Sequence, residues 1–231
     1  MIKHHPESTM IHAFVAGELP ASLSIAVSAH LELCPHCKAI AAKFTKALAD
    51  DVLGADDHFE QSITAPEATE QVDDFAAMLA AITEQPVDKP DTVKQLAEPK
   101  VEHIVLEQKT YALPRALRQF SQTKWSGLGN IQRARLALDE GDVHASLLQI
   151  AADSAIPHHT HKGYELTLLL DGCFEDESGR YEKGDFIILN GEHHHSPYTA
   201  EGCLCYTVSN APLHFTSGVS KLLNPIGRFL Y

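Results

Sequence analysis

The chain has 231 residues, 44% hydrophobic and 21% charged, a balance typical of globular proteins that bury one large core or two ordinary ones. Its net charge of −13 argues against direct nucleic-acid binding, which needs basic surface to displace counterions. The sequence contains no apolar run long enough for a membrane span and no signal-peptide core at its N-terminus. Five cysteines, an odd number, are atypical of a disulfide framework and favour the reducing cytoplasm.

The acidity is concentrated in residues 1–90, which hold five basic and fourteen acidic side chains and carry a net charge of −9. An acidic helical module suits a basic protein partner, such as one that itself contacts DNA. An acidic face that only keeps the protein soluble explains this charge equally well.

Residues 7–54 show a helical pattern that is interrupted twice, which predicts three helices. The residues at 7–9 form a capping signal for the first helix. Gly17 is placed to end it, and Pro20 lies near the start of the second. Pro35 breaks the second helix and is well placed in the first turn of the third.

A run of metal-ligand types crosses the second interruption, where His30, Cys34 and Cys37 follow one another at metal-ligand spacing. Tetrahedral zinc needs a fourth ligand, and His4 and His5 near the N-terminus are both candidates. The alternative interpretation is a pair of buried free cysteines beside a core histidine.

A polar connector at residues 54–69 precedes a predicted amphipathic helix at 69–84, with Thr69 as its N-cap. Its apolar stripe consists of Val72, Phe75, Met78, Leu79 and Ile82. Such a helix usually packs on its own domain, and the alternative is the groove of a partner protein. Two prolines among charges follow it, so we predict a helical domain at 1–90, a linker at 91–104 and a second domain at 105–231.

The second domain changes from a helical to a strand pattern after Pro114, which predicts an all-β sandwich or barrel. Short apolar runs separated by turn signals lie at residues 133–138, 145–151, 165–172, 186–191 and 203–208.

A second group of ligand types lies within this domain. His159 and His161 are two residues apart and so share one strand face, Glu165 follows, and a histidine triplet occupies 193–195. Three histidines and one carboxylate suit Zn²⁺, Mn²⁺, Fe²⁺ or Ni²⁺. The alternative is a surface histidine cluster without a specific role.

The chain resembles the cupin fold over about residues 105–225. His159, His161 and Glu165 match the first cupin motif, H-x-H-x3-E, and Gly172 and Gly184 fall on expected motif glycines. The resemblance assigns the last ligand to His195 and makes His193 and His194 its neighbours. Asp153, Asn190 and Glu192 depart from the motifs at turn positions.

The N-terminal part resembles the zinc-binding anti-sigma domain, whose signature is H-x3-C-x2-C with an upstream histidine. His30, Cys34 and Cys37 match it, and His5 is a better upstream match than His4. Such a domain followed by a cupin is the arrangement of the ChrR anti-sigma factors. The resemblance implies a multidomain fold: about four zinc-stapled helices and then a cupin β-barrel.

By that resemblance, the N-terminal helices bind an extracytoplasmic-function sigma factor in the cytoplasm, with the helix at Phe75 to Ile82 inserted between the sigma factor's two domains. The cupin, with zinc, manganese, iron or nickel, is needed for release in response to singlet oxygen or related oxidants. The alternative function is a metal-dependent cupin enzyme, a dioxygenase, isomerase or lyase. Direct sensing by Cys203 and Cys205, or by Cys173, is a weaker hypothesis, because a Cys-x-Cys pair on a strand is more often simply buried.

Overall fold

The computed structural model of the chain describes residues 2–54, 71–85, 103–106, 109–120 and 124–216, without the side chains of 71–74 and 128. One compact unit combines Met1–Thr45 with Val101–Tyr231, and Lys46–Lys100 form the other. The linker predicted at 91–104 falls mainly outside the described residues, so the domain limits stay a prediction. In the described segments, no helix is sufficiently long and apolar to cross a membrane.

The helices of the described part are α1 (Ser8–Val15), α2 (Ala21–Leu33), α3 (Pro35–Gly54) and α4 (Gln71–Thr83), followed by a 3₁₀ helix at Arg115–Phe120. This confirms the predicted succession of helices. Gly17 ends α1 with a φ of 73°, a backbone conformation that glycine adopts without strain.

The predicted capping signal at the start of α1 is only partly correct. The helix begins at Ser8, but no side chain caps it. Instead, the Thr9 hydroxyl donates to the Glu7 carboxylate at 3.3 Å, which draws both groups away from the free backbone N–H groups. Thr69, the cap predicted for α4, lies outside the described residues.

Short antiparallel strands make up most of the rest of the described chain, which confirms the predicted all-β class. They are β1 (His103–Leu106), β2 (Lys109–Ala112), β3 (Trp125–Leu128), β4 (Ile131–Arg135), β5 (His144–Ile150), β6 (Ser154–Ala155), β7 (His159–His161), β8 (Glu165–Asp176), β9 (Gly179–Glu182), β10 (Phe186–Leu189), β11 (His194–His195), β12 (Tyr198–Thr199), β13 (Cys203–Ser209) and β14 (Leu213–Phe215).

Two sheets face each other and form the cupin barrel. The larger has the order β3-β4-β5-β13-β8-β12-β6, and β9 and β10 also pair with β8. The smaller has the order β11-β7-β14, and β1 and β2 form a separate hairpin. Because side chains alternate along each strand, the large sheet has one face inside the barrel and one outside.

The outer face of the large sheet shares its core with helix α2. Leu147, Leu168 and Tyr206 from the sheet are fully buried in one cluster with Val27 of α2. The Tyr206 hydroxyl donates to the Ser22 carbonyl at 2.9 Å. The N-terminal helices therefore pack directly on the barrel, an association that the sequence patterns do not predict.

The inner face of the large sheet forms a second, smaller core. Leu148, Leu169 and Cys205 are adjacent in the register and are buried there. Glu165 at the start of β8 shares this face, which directs its carboxylate toward the histidines of the smaller sheet. The fold thereby brings together residues from both sheets inside the barrel.

Candidate metal centres

The N-terminal ligand candidates converge where α2 ends and α3 begins. Cys34 is the C-cap of α2, and Cys37 lies in the first turn of α3. The ligand atoms of His5, His30, Cys34 and Cys37 all lie within 4.8 Å of one another. His5 Nδ1 is 3.5 Å from Cys34 Sγ and 3.4 Å from Cys37 Sγ. Ligand atoms on a tetrahedral zinc are about 3.3–3.8 Å apart, so the group fits zinc.

His30 is oriented by a hydrogen bond from the barrel. Its Nδ1–H donates to the Gly184 carbonyl at 2.8 Å, and since a carbonyl only accepts, the proton is on Nδ1. The other nitrogen, Nε2, is buried without a hydrogen-bond partner in the described residues. Burial lowers the pKa of His30 to about 4, which leaves Nε2 unprotonated and able to bind a metal.

The two cysteines are buried, with exposed fractions of 2% for Cys34 and 1% for Cys37. Burial, together with the hydrogen bond and charge of Cys34, raises the pKa of the Cys37 thiol to about 12. Without a metal this thiol is protonated at neutral pH. Metal binding must therefore release a proton, as is usual for thiolate zinc sites.

The structure distinguishes His5 from His4, which the sequence spacing does not. The His4 ring packs on Tyr181, with ring centroids 4.9 Å apart, and lies outside the ligand group. Its backbone is held by the barrel, since the His4 carbonyl accepts from the Phe186 N–H at 3.0 Å. His5 is therefore the residue whose ring faces the cysteines.

Asp185 anchors the segment that carries His5. This buried carboxylate accepts from the backbone N–H groups of Lys3 at 2.7 Å and His4 at 3.0 Å through Oδ1, and of Glu182 at 2.8 Å through Oδ2. Burial alone raises the pKa of Asp185, but these hydrogen bonds outweigh it and leave the pKa below its ordinary value. The charged form, and the stability it contributes, is present at neutral pH and lost as the pH falls through the folded-state pKa.

Asp185→Asn is expected to loosen the His5 segment, because an amide NH₂ turned toward backbone donors cannot accept from them. Hydrogen bonds to charged groups contribute about 1.5–3 kcal/mol, so urea unfolding will show a loss in that range. Zinc affinity, measured by competition with a chelating dye, will fall about 10- to 100-fold, the usual effect of losing an outer-shell partner. Glu182→Gln, at a partly exposed neighbouring carboxylate, is the control and is expected to leave both measurements unchanged. Equal zinc affinity in Asp185→Asn and the control would show that this anchor has no role.

The second ligand group lies inside the barrel. The ligand atoms of His159, His161, Glu165 and His195 lie within 4.8 Å of one another. His161 Nε2 is 3.0 Å from Glu165 Oε2 and 3.3 Å from His195 Nε2. These separations suit a divalent metal shared by nitrogen and oxygen ligands, and the ligand types do not choose among zinc, manganese, iron and nickel.

Outer-shell hydrogen bonds orient two of these histidines. His159 Nδ1–H donates to the Pro157 carbonyl at 2.8 Å, and His195 Nδ1–H donates to Asp176 Oδ2 at 3.0 Å. Both rings therefore direct Nε2 toward the group. Burial lowers the pKa of His159 to about 4 and also lowers the pKa of His195. Burial alone raises the pKa of Glu165, but the hydrogen bond and charge of His161 outweigh it, so the carboxylate stays ionised.

The other two histidines of the triplet lie outside the group. His193 is exposed, and its Nδ1 is 2.8 Å from the Asn190 side-chain oxygen. His194 is also exposed and stacks on His158, with ring centroids 5.8 Å apart. Alternation along β11 turns His194 away from the barrel and His195 inward.

The departures from the cupin motifs are accommodated by local hydrogen bonds. Asp153, which stands where the motif usually has glycine, has a φ of 54°, a conformation that aspartate tolerates better than most residues. Its carboxylate accepts from the Tyr198 hydroxyl at 3.0 Å. Asn190 accepts from the Glu192 N–H at 3.0 Å and so holds the loop before the triplet.

The remaining cysteines do not join either group. Cys203 and Cys205 are buried, with their sulfur atoms 4.0 Å apart inside the barrel, and Cys173 is partly exposed. Sequence reasoning missed Pro157, Asp176, Gly184 and Asp185, which orient the ligands. Gly184 and Asp185 lie in a turn signal, and Asp176 to Gly179 reads as a hairpin turn, but neither pattern indicates a contact with a ligand.

The predicted partner-binding stripe is exposed on α4. Phe75 is 61%, Met78 55%, Leu79 51% and Ile82 58% exposed. The side chain of Val72 lies outside the described residues. The four side chains recur at helical spacing and form a continuous apolar stripe.

Comparisons with known proteins agree with both halves of this description. The family model described as the ChrR cupin-like domain matches residues 114–213, and a zinc-finger family model matches residues 8–38. The chain is 32% identical to the anti-sigma-E factor ChrR of Cereibacter sphaeroides over 229 residues, 98% of this chain and 99% of that protein.

A solved structure is similar over nearly the same length. The crystal structure of Rhodobacter sphaeroides SigE in complex with the anti-sigma ChrR matches with a TM-score of 0.59 and 28% identity. The match covers 90% of this chain and 99% of that chain.

Proposed function

Since the chain belongs to the ChrR family of anti-sigma factors, we propose that it sequesters an extracytoplasmic-function sigma factor through its N-terminal helices. The proposed location is the cytoplasm, where a sigma factor meets RNA polymerase. The cupin centre is proposed to be required for release of the sigma factor under oxidative stress, such as exposure to singlet oxygen. The family is one of regulators, so the proposed activity is binding and release rather than catalysis.

The observation that carries this proposal is the apolar stripe of α4, defined by Phe75, Met78, Leu79 and Ile82. More than half of each of these side chains is exposed. Large apolar side chains that share one face of an exposed helix are typical of a helix that binds in a groove. The end of α3 adds Val52 and Leu53, which are 62% and 69% exposed.

The negative charge of the N-terminal part also favours a sigma factor as the partner. Residues 1–90 carry a net charge of −9, which would attract a protein with a basic surface and speed its association. Sigma factors contact DNA and therefore need basic surface, so the attraction has the correct sign. We expect the association rate to fall as salt concentration rises.

Zinc is proposed to act as a structural staple in the N-terminal centre. It would join the His5 segment, the end of α2 and the start of α3 through four protein ligands, which leaves no position open for catalysis. The apolar cluster around the site is small, with Ile11, Cys34, Cys37 and Ala41 as its buried members. Metal binding commonly supplies the folding free energy that so small a core lacks.

The stripe is tested by placing a charge on it. Phe75→Asp is expected to weaken binding of the cognate sigma factor about 30- to 1,000-fold, because losing a hot-spot side chain costs about 2–4 kcal/mol. Ala77→Asp is the matched control, since Ala77 is exposed on the opposite side of the same helix. Titration calorimetry on the full-length proteins, with circular dichroism as a check on folding, measures both. Equal affinities for the two variants would contradict the proposed docking stripe.

A further inference from the structure

A row of polar side chains crosses the interior of the barrel beside the cupin ligand group. In the register of the large sheet, Ser146 of β5 lies opposite Thr207 of β13, which lies opposite Thr167 of β8. Glu165 follows two positions from Thr167 and shares its face. Ser146 and Thr207 are buried, and the Thr207 hydroxyl donates to the Ser146 carbonyl at 3.5 Å, which leaves its lone pairs able to accept.

Arg133 of β4 projects into the same interior. Its neighbours in the register are Leu148, Cys205 and Leu169, which are buried in the inner core. The arginine is partly buried, and desolvation lowers its pKa from the ordinary arginine value. A guanidinium has five donors and no acceptor, so in this position it needs hydrogen-bond acceptors, and a carboxylate supplies two in matching geometry.

The described part of the chain supplies one attracting anion, Glu165, and it lies beyond ion-pair distance of Arg133. None of its carboxylates forms an ion pair with Arg133. Glu165 attracts Arg133 through its charge, but its oxygen is held by His161 in the metal-ligand group. The neighbouring charge of Arg135 is repulsive.

A histidine that its surroundings keep neutral also lies on the inner face. His144 of β5 shares this face, and its pKa is lowered by burial and by the positive charges of Arg135 and Arg133. Arg133 and Arg135 thus place positive charge on the same face as the Glu165 carboxylate. Glu165 keeps 14% of its side chain exposed, so solvent reaches part of this interior.

We propose that the cupin barrel binds a small organic carboxylate, whose carboxylate group pairs with Arg133 and whose other polar atoms contact the hydroxyls of Ser146 and Thr207. The hydroxyl row lies between the Arg133 row and the Glu165 row and is about 6.6 Å from each of them along the strands. A molecule of a few carbon atoms is long enough to reach from Arg133 to the hydroxyl row. The proposed site gives the cupin half a small-molecule ligand. Its test involves no sigma factor, so this proposal can fail without affecting the proposed function, and the reverse is also true.

The test is titration calorimetry on the full-length, metal-loaded protein with acetate, malonate and succinate as probes. Chloride, sulfate and inorganic phosphate at the same ionic strength are the comparison anions. At least one carboxylate is expected to bind one-to-one and more tightly than any comparison anion. No binding by any carboxylate, or equal binding by an inorganic anion, would overturn the proposal. A signal that accompanies loss of bound metal would overturn it too, because it would reflect chelation.

Arg133→Met is expected to weaken the carboxylate at least tenfold, because it removes a charged, two-pronged hydrogen-bond donor. Arg133→Lys keeps the charge but not the fork and will bind with intermediate affinity. Arg180→Met removes an exposed arginine of β9 and will bind like the wild type. Without ligand, Arg133→Met is expected to melt no lower than the wild type, because an unpaired, partly buried charge has been removed. Unchanged affinity in Arg133→Met, or a lower melting temperature without ligand, would assign the arginine a structural role instead.

Discussion

Cys34→Ser is expected to remove zinc from the N-terminal centre and, with it, binding of the sigma factor. The thiolate is one of four ligands, and its loss should weaken zinc binding by more than the roughly 10- to 100-fold effect of losing an outer-shell partner. The His30 Nε2 would then be buried beside an incomplete site. Since zinc would join the end of α2 to the start of α3, the helices should lose their fixed arrangement.

Cys173→Ser is the matched control for this experiment. Cys173 is a partly exposed cysteine of the barrel that belongs to neither ligand group. Metal analysis of the full-length proteins should find one metal fewer per chain in Cys34→Ser than in the wild type or the control. A Cys34→Ser protein that keeps all its zinc and binds the sigma factor at full strength would contradict the staple.

His161→Ala is expected to separate sigma binding from sigma release. The imidazole is 1% exposed, and its Nε2 lies within 3.3 Å of two other ligand atoms, so its removal should empty the cupin centre. The N-terminal zinc ligands are unaffected, and sigma affinity should stay within about threefold of the wild type. Singlet oxygen, generated by illuminating a photosensitiser, should then fail to dissociate the purified complex.

His194→Ala provides the control for the cupin centre. His194 is exposed, faces away from the barrel and neighbours the ligand His195 in the sequence. This variant should keep its metal and release the sigma factor as the wild type does. Normal release from metal-depleted His161→Ala would show that the cupin metal is not required.

The sequence predicted those metal ligands that lie within a few residues of one another. His30, Cys34 and Cys37 lie within eight positions, and a helix break between them brings their side chains together through local geometry alone. The same holds for His159 and His161, which strand alternation places on one face. The family resemblance added the two ligands that lie farther away in the sequence, His195 and His5.

The contacts that connect the two halves of the chain could not be predicted in this way. The hydrogen bond of His30 with the Gly184 carbonyl spans 154 positions, and that of Lys3 with Asp185 spans 182. They depend on where α2 rests on the sheet, which is decided by the packing of Val27 against Leu147 and its neighbours. No local pattern records such packing, because it depends on the complementary shapes of two distant surfaces.

The preference for His5 over His4 came from the family resemblance, and the structure gives its physical reason. The two histidines are adjacent and chemically identical, and either is within reach of the cysteines. The choice depends on the barrel, which binds the His4 backbone through Phe186 and packs Tyr181 on the His4 ring. A pairing with residues more than 170 positions away therefore selects the ligand.

The affinity of the full-length, zinc-loaded chain for its cognate extracytoplasmic-function sigma factor tests the central claim most directly. Titration calorimetry should show a one-to-one complex that is lost in Phe75→Asp and kept in Ala77→Asp. Absence of binding by the wild-type chain, with its N-terminal centre filled with zinc, would contradict the proposed anti-sigma function.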